Sequence, residues 1–562
     1  MAQIVLPFEP QTYVAPDSTF FSRLPDGLRE ACEKVAFLAD YVRQLPLNTL
    51  ETVEYYEKPP RSLSSLEAPN LIYAIKDGLF VHIYPDPVGV RHHHVAIEPI
   101  STLNVTDLVK QVDERLVEWA EDIGRLEDKE AKRALLIDLI DNICTTKREP
   151  TNGKRGPARI FVTPRQLEAI RYQILRDKIG LGVLQPLLLD PNIEDISCSG
   201  VGHIFIEHKI FKSVRSSIAF KDHIDLDEFV VWLGEWIKHP VTVRNPLVDA
   251  VLPDGSRINI VYGQEISKRG SNFTIRKFSG TPVSVFELVE FGSLNYTIAA
   301  YLSLMLESGL NMFVVGATAS GKTTLLNAIT TFIRPEAKIV TIEDTPEVQV
   351  PHHNWVQEST RHSGGEGKGS DVGMFELLKA ALRQRPEMII VGEIRSVEAV
   401  VAFQAMQTGH GVMSTFHASS VEKLIQRLTG DPINIPKTYI DNLNLAVIQS
   451  AVRLADGRSA RRVLSVNEII GYDPVTESFS FLEAFRWNPT NDTFEFPGYM
   501  NSYLLEQVIA IKRGIPPHQR KRIYDEVNRR ARIFEKLHKE KGVTDFYDLF
   551  QILAEARQQK LL

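Results

Sequence analysis

The residues best suited to chemistry form one run: Gly316, Ala317, Thr318, Ala319, Ser320, Gly321, Lys322 and Thr323, followed by Thr324. The run fits the spacing G-x-x-x-x-G-K-[ST], and its context agrees with it. Asn311 to Val315 reads as a short buried strand. The glycines let the backbone turn sharply, and Leu325, Leu326, Ala328 and Ile329 continue as one face of a helix. A loop so placed opens at a helix N-terminus, where unpaired N–H groups cradle phosphate oxygens. Lys322 then reaches the terminal phosphates and Thr323 holds Mg²⁺. The expected ligands at this loop are the phosphates of a nucleotide and Mg²⁺.

Two further runs carry acids. Ala337 to Asp344 is β-patterned and ends on Glu343 and Asp344, with Glu347 three residues on. Parallel α/β sheets bind ligands beyond the C-terminal ends of their strands, so Glu343 is a candidate base that polarises water; strand-end solvation or helix capping is the alternative. Met388 to Arg395 delivers Glu393, an acid placed to complete a Mg²⁺ shell through water together with Thr323. A third run, Thr408 to Ala418, carries His410 and His417. A histidine on an apolar run is commonly structural, but His417 ends a strand near the same sheet edge, where it is placed to sense a γ-phosphate.

The elements that must position these groups exceed a single core: 562 residues suggest several domains. The boundaries read as an N-terminal extension and linker over 1–157, a small α/β domain over 158–280, the nucleotide domain over 281–500 and a helical region over 501–562. Leu28 to Leu45 reads as one amphipathic helix, with Ala31, Val35, Leu38, Ala39 and Val42 on its apolar face. His92, His93 and His94 are consecutive on a β-patterned stretch, so they point alternately to opposite faces and make poor joint metal ligands. Thr145 to Pro157 reads as a linker. Pro253-Asp254-Gly255 is a turn between two alternating strands, with Arg257 opening the second; another strand ends on Arg276. On strands alone, two arginines describe a solvated face. Ser279-Gly280-Thr281-Pro282 reads as a hinge, and Arg461 to Tyr472 with Phe479 to Trp487 as a closing hairpin.

The formal net charge of −7 argues against a protein that wraps nucleic acid. The three cysteines, Cys32, Cys144 and Cys198, form no C-x-x-C pair. They suit a reducing cytoplasm. The sequence shows neither a signal-peptide pattern nor an apolar run of membrane-spanning length, so the expected location is cytoplasmic, with any membrane association through partners.

The order of phosphate loop, Thr-Ile-Glu-Asp, Gly-Glu-Ile-Arg and Thr-Gly-His…Thr-Phe-His-Ala resembles the secretion ATPase superfamily, the motors of type II secretion, type IV pili, some conjugation systems and the archaellum. The resemblance covers roughly residues 180 to 470. It implies a RecA-like ATPase domain preceded by a small α/β domain, assembled as a homohexamer. It also implies Glu343 as catalytic glutamate, Glu393 as the second Walker acid, and His410 and His417 as the histidine box. Arg257 and Arg276 match arginines that reach the phosphates on domain closure, which revises the solvated-face reading. Ile342 to Glu347, His353-Asn354-Trp355 and Leu382 to Pro386 look most like archaellum and archaeal pilus ATPases. The Gly-rich insert Ser363 to Ser370 departs from the archaellum pattern, and no cysteine follows Cys198 to build the zinc module usual in bacterial type II assembly ATPases.

Implied partners are a polytopic membrane platform protein and accessory cytoplasmic regulators. Residues 501–562 hold 13 Lys or Arg against 8 Asp or Glu, a solvated tail or a docking surface for the platform or for anionic lipid. The alternatives to a filament motor are a protein export or conjugation ATPase, a nucleic-acid translocase, which needs a basic channel or stacking aromatics that the sequence does not advertise, and a ring that uses ATP only structurally.

Overall fold

The computed structural model describes residues 3–10, 20–21, 23–60, 63, 66–86, 91–126, 128–147, 159–278, 280–361 and 372–559. They gather into two compact units, Met1–Ser279 and Gly280–Leu562. The division falls within the Ser279–Pro282 segment. The insert at 363–370 and the linker residues 148–157 lie outside the described residues.

The first unit is built on one eleven-stranded sheet. Its order is Leu247–Val251, Arg257–Val261, Asn272–Arg276, Ile193–Cys198, Gly202–His208, Lys212–Phe220, His93–Ile97, Phe80–Tyr84, Leu71–Ala74 and Glu54–Tyr56, with Gln3–Ile4 beside Lys212–Phe220. The sequence boundary at residue 157 thus falls inside a shared sheet. The seam is the parallel pairing of Arg215 with His93 and Ser216 with His94. A buried polar cluster spans that seam: Asp190 Oδ2 accepts from Tyr73 Oη at 2.5 Å and from His94 Nε2 at 3.0 Å, and Tyr73 Oη lies 3.1 Å from His208 Nε2. Burial alone would raise the Asp190 carboxyl; the bonds from His94 and Tyr73 overcome it and hold the group at about 2. His94 is thus buried within this cluster, while His93 lies 3.7 Å from Asp86.

The expected helix over Leu28 to Leu45 is two, Asp26–Lys34 and Ala36–Val42, broken at Val35, whose backbone is extended (φ −124, ψ 101). The first buries only Leu28 and Cys32, whereas the second buries Phe37, Leu38, Ala39, Tyr41 and Val42. One straight stripe cannot serve both patterns, and the break re-aims the second helix.

The second unit carries a nine-stranded sheet. Its parallel part runs Trp355–Ser359, Ile339–Glu343, Met388–Ile394, Gly411–Phe416, Met312–Val315 and Leu445–Arg453; Ser459–Asp473, Ser478–Asn488 and Thr493–Glu495 extend it antiparallel. Met312–Val315, Ile339–Glu343 and Gly411–Phe416 are buried along their whole length, as parallel strands covered on both faces must be. Helices Tyr296–Glu307, Lys322–Thr330, Ile523–Lys539 and Phe546–Gln558 pack into one core; Met374–Arg383, Glu398–Gln407 and Val421–Thr429 pack into another.

The C-terminal helices are therefore part of this unit, and the sequence boundary at residue 500 falls within it. Phe534 stacks on Phe332 at 5.6 Å, and Arg530, 1% exposed, pairs with Glu307 (2.6 Å) and Glu526 (2.9 Å). Among the described residues no helix is long and apolar enough to cross a membrane.

Candidate functional site

The parallel strands end side by side, and the chemistry predicted from sequence collects at those ends. Val315 is in register with Phe416, and Ile342 with Val391, so Gly316, Glu343, Gly392-Glu393 and His417 lie at the C-terminal ends of neighbouring strands. The chain leaves Val315 into the phosphate loop, with Ala319 and Gly321 in left-handed conformations (φ +60 and +92), and enters helix Lys322–Thr330. Gly316 has a packing reason for its identity: a Cβ there would stand 2.1 Å from the Gln449 carbonyl. Lys322 Nζ donates to the Ala317 carbonyl at 2.9 Å, as does Ser320 Oγ at 2.8 Å. Burial lowers the Lys322 ammonium, against the opposing pull of Glu393. Thr323 is half-buried and Thr324 exposed on the first turn.

Glu343 is 2% exposed. Its Oε1 accepts from the Glu347 and Val348 N–H groups, both at 2.9 Å, while Oε2 is buried without a partner. Burial outweighs those two bonds and pushes the carboxyl up to about 8. The neighbouring strand leaves it room only because Gly392 lacks a side chain, since a Cβ there would lie 2.8 Å from Glu343 Cγ. Register between Met388–Ile394 and Gly411–Phe416 shifts between Val391 and Ile394, a bulge that re-aims the Gly392-Glu393 pair. Glu393 faces a guanidinium and an imidazole: Arg395 donates to Oε2 (Nε 2.8 Å, Nη2 2.5 Å), and His417 Nε2 lies 2.6 Å from Oε1. Burial and then the charge of Lys322 lower the His417 imidazole, with Glu393 opposing. Arg395 also approaches Asp344 at 3.7 Å.

His410 is not brought to this cluster. It precedes the strand whose other end carries His417, and its ring lies 3.0 Å from Thr408 Oγ1. Six intervening residues of extended chain separate the two histidines by roughly 20 Å.

In the first unit, Arg257 and Arg276 are direct cross-strand partners on the solvent face, opposite the buried Ile258 and Ile275. Arg257 grips Asp249 with two bonds (3.0 and 2.6 Å); Arg276, with its side chain 71% exposed, is 4.0 Å from Asp195. Like charges directly opposite destabilise a sheet, and an anion relieves them.

Sequence reasoning missed Arg461 and Gln449. Strand Leu445–Arg453 sets Gln449 beside Gly316, and Arg461 Nε donates to the Ala319 carbonyl at 3.2 Å. The available signal was the pair Arg461-Arg462 in a β run, where neighbours face opposite ways.

A parallel order with the loop strand between Gly411–Phe416 and Leu445–Arg453, and acids at the ends of the next two strands outward, is that of a RecA-like phosphate-loop fold. The chain belongs to the type II/IV secretion system protein family, whose model matches residues 177–478. An uncharacterized protein of Methanocaldococcus jannaschii is 42% identical over 94% of this chain and 96% of its own length. The type IV secretion system protein VirB11 of Bartonella henselae is 31% identical, over 45% of this chain and 80% of its own. Among solved structures, the VirB11 ATPase of Brucella suis in complex with sulphate is 25% identical and covers 52% of this chain and 93% of its own, with a TM-score of 0.26. The Legionella pneumophila ATPase DotB is 20% identical and covers 65% and 92%, with a TM-score of 0.38.

Proposed function

We propose that this chain is the Mg²⁺-dependent ATPase of a homohexameric motor that powers assembly or rotation of a type IV pilus-like filament, an archaellum or archaeal pilus, through a polytopic membrane platform protein. The observation that supports it best is the convergence of Lys322, Glu343, Glu393 and His417 at adjacent strand ends around one phosphate loop.

In this reading the loop N–H groups and Lys322 hold the phosphates of ATP. The hydroxyl of Thr323 and the carboxylate of Glu393 are hard oxygen donors of the kind Mg²⁺ takes. Mg²⁺, when bound, neutralises charge on the phosphates. Glu343 orients and deprotonates water, and a carboxyl near 8 is tuned for a base working near neutrality. Two backbone N–H bonds fix Oε1, leaving Oε2 to receive the water. Arg395 and His417 keep Glu393 in place, and His417 senses the γ-phosphate. Arg257 and Arg276 supply cations to the phosphates on domain closure, and that closure moves the partner at the membrane.

A second reading, a protein export or conjugation ATPase, is favoured by relatives named for those systems, VirB11 and the probable conjugal transfer protein TrbB of Sinorhizobium fredii, 29% identical over 49% of this chain and 84% of its own. Glu343→Gln tests the shared chemistry. The variant is expected to bind ATP, sediment as a hexamer and hydrolyse at least a hundredfold more slowly; wild-type turnover in that variant contradicts it. Capture of the membrane partner by the full chain separates the two readings.

A further inference from the structure

The strand that follows the parallel core brings an unassigned cation to the phosphate loop. Ser459–Asp473 runs antiparallel to Leu445–Arg453, with Arg461 opposite Ala451. The Arg461 side chain lies along the loop: a Cβ built on Gly321 would meet its Cδ at 3.0 Å, and its Nε donates to the Ala319 carbonyl at 3.2 Å. That bond fixes only one end of the guanidinium. Arg461 is exposed, and among the described residues neither Nη atom has a hydrogen-bond partner and no carboxylate is within ion-pair distance.

The next residue shows the contrast. Arg462, 4% exposed, forks onto Asp492 at 2.8 and 2.7 Å and donates to the Phe291 carbonyl at 2.9 Å. Arg462 Nη1 (2.9 Å) and Ser293 Oγ (3.0 Å) both donate to the Arg461 carbonyl. The backbone of Arg461 is thus clamped while the guanidinium remains unneutralised, an arrangement that lowers the ordering cost of capturing an anion. Beside it, Gln449 is 2% exposed, has its amide nitrogen 3.7 Å from the same Gly321 Cβ point, and leaves Oε1 buried without a partner. Unmet buried acceptors are rare, and bound ligand or water is one way they are completed.

We propose that Arg461 is a second phosphate-binding cation of the nucleotide site, its free Nη pair forking onto the phosphate chain of the nucleotide held by the loop. The proposal rests on the ATPase reading above. A planar guanidinium with both Nη groups free matches two phosphate oxygens at once, which a single ammonium does not.

The test is titration of the full chain with a fluorescent ADP analogue at low and high salt, for the wild type, Arg461→Ala, Arg461→Gln, Arg461→Lys and Lys322→Ala, with circular-dichroism melts of each. Arg461→Ala and Arg461→Gln are expected to weaken ADP binding about tenfold, the scale of one hydrogen bond to a charged group, and to flatten its salt dependence. Arg461→Lys recovers part of both. Affinity within twofold of wild type in the Ala and Gln variants overturns the proposal. So does equal weakening in all three Arg461 variants with unchanged salt dependence, which marks a brace for the loop alone. Failure of the wild type to bind the analogue refutes the ATPase reading itself. Binding lost in Lys322→Ala but intact in the Arg461 variants refutes only the role of Arg461.

Discussion

Replacing Glu343 by Gln is expected to stabilise the unliganded protein while abolishing its turnover, and the stabilisation is expected to grow with pH. Burial pushes the Glu343 carboxyl from an ordinary 4.5 up to about 8. The folded protein therefore keeps this proton after the unfolded chain has lost it, and stability falls as pH rises through that window. Below about pH 4.5 both states are protonated and nothing is lost; above about pH 8 the loss is complete. At 1.36 kcal/mol per unit, the loss is about 3 kcal/mol at pH 7 and about 5 kcal/mol by pH 9, as upper bounds. A Gln amide fills nearly the same space, carries no charge and has no such term. The assay is the thermal melting temperature of wild type and variant, without nucleotide, from pH 5 to pH 9. The variant should gain several degrees over the wild type across that range. A difference that stays constant with pH refutes the reasoning, because Glu343 is then ionised or unstrained in the fold.

Other perturbations follow from the same geometry. The kcat/KM of the wild type, which reports the free enzyme, should rise with pH along a limb centred near 8, and a profile flat from pH 6 to pH 9 speaks against Glu343 as the base. Gly392→Ala, which sets a methyl 2.8 Å from Glu343 Cγ, should lower kcat at least tenfold with nucleotide affinity within threefold of wild type; unchanged kcat shows that Glu343 has slack. Arg257→Ala or Arg276→Ala should reduce turnover at least tenfold without shifting the circular-dichroism melt, since both side chains are solvent-exposed; a lost fold makes them structural.

The phosphate loop and the acid-tipped strands were legible in the sequence because two-sided burial leaves an uninterrupted apolar run, as in Met388 to Val391, and the acid that ends it stands out. The conformational demand at Gly321 was legible for a related reason: its φ of +92 is one that glycine adopts without strain. Contacts between distant segments were not. Nothing local announces that Arg215 pairs with His93, so residues before 157 read as an extension although they share a sheet with those after it. The break at Val35 comes from a change of burial between two helices that helical spacing alone does not show. His410 and His417 share one motif, yet a strand separates them, because a motif in extended chain spreads over its whole length. Arg461 was hidden for the opposite reason: it lies far from the loop in sequence and reaches it only through the register of two antiparallel strands.

Every role proposed for these residues depends on ATP hydrolysis at this loop, and steady-state phosphate release by the full chain with ATP and Mg²⁺ tests it most directly. Wild-type protein should release phosphate in a Mg²⁺-dependent manner, and Lys322→Ala, folded to the same melting profile, should fall to background. No release by the wild type, or equal release by the variant, would contradict it.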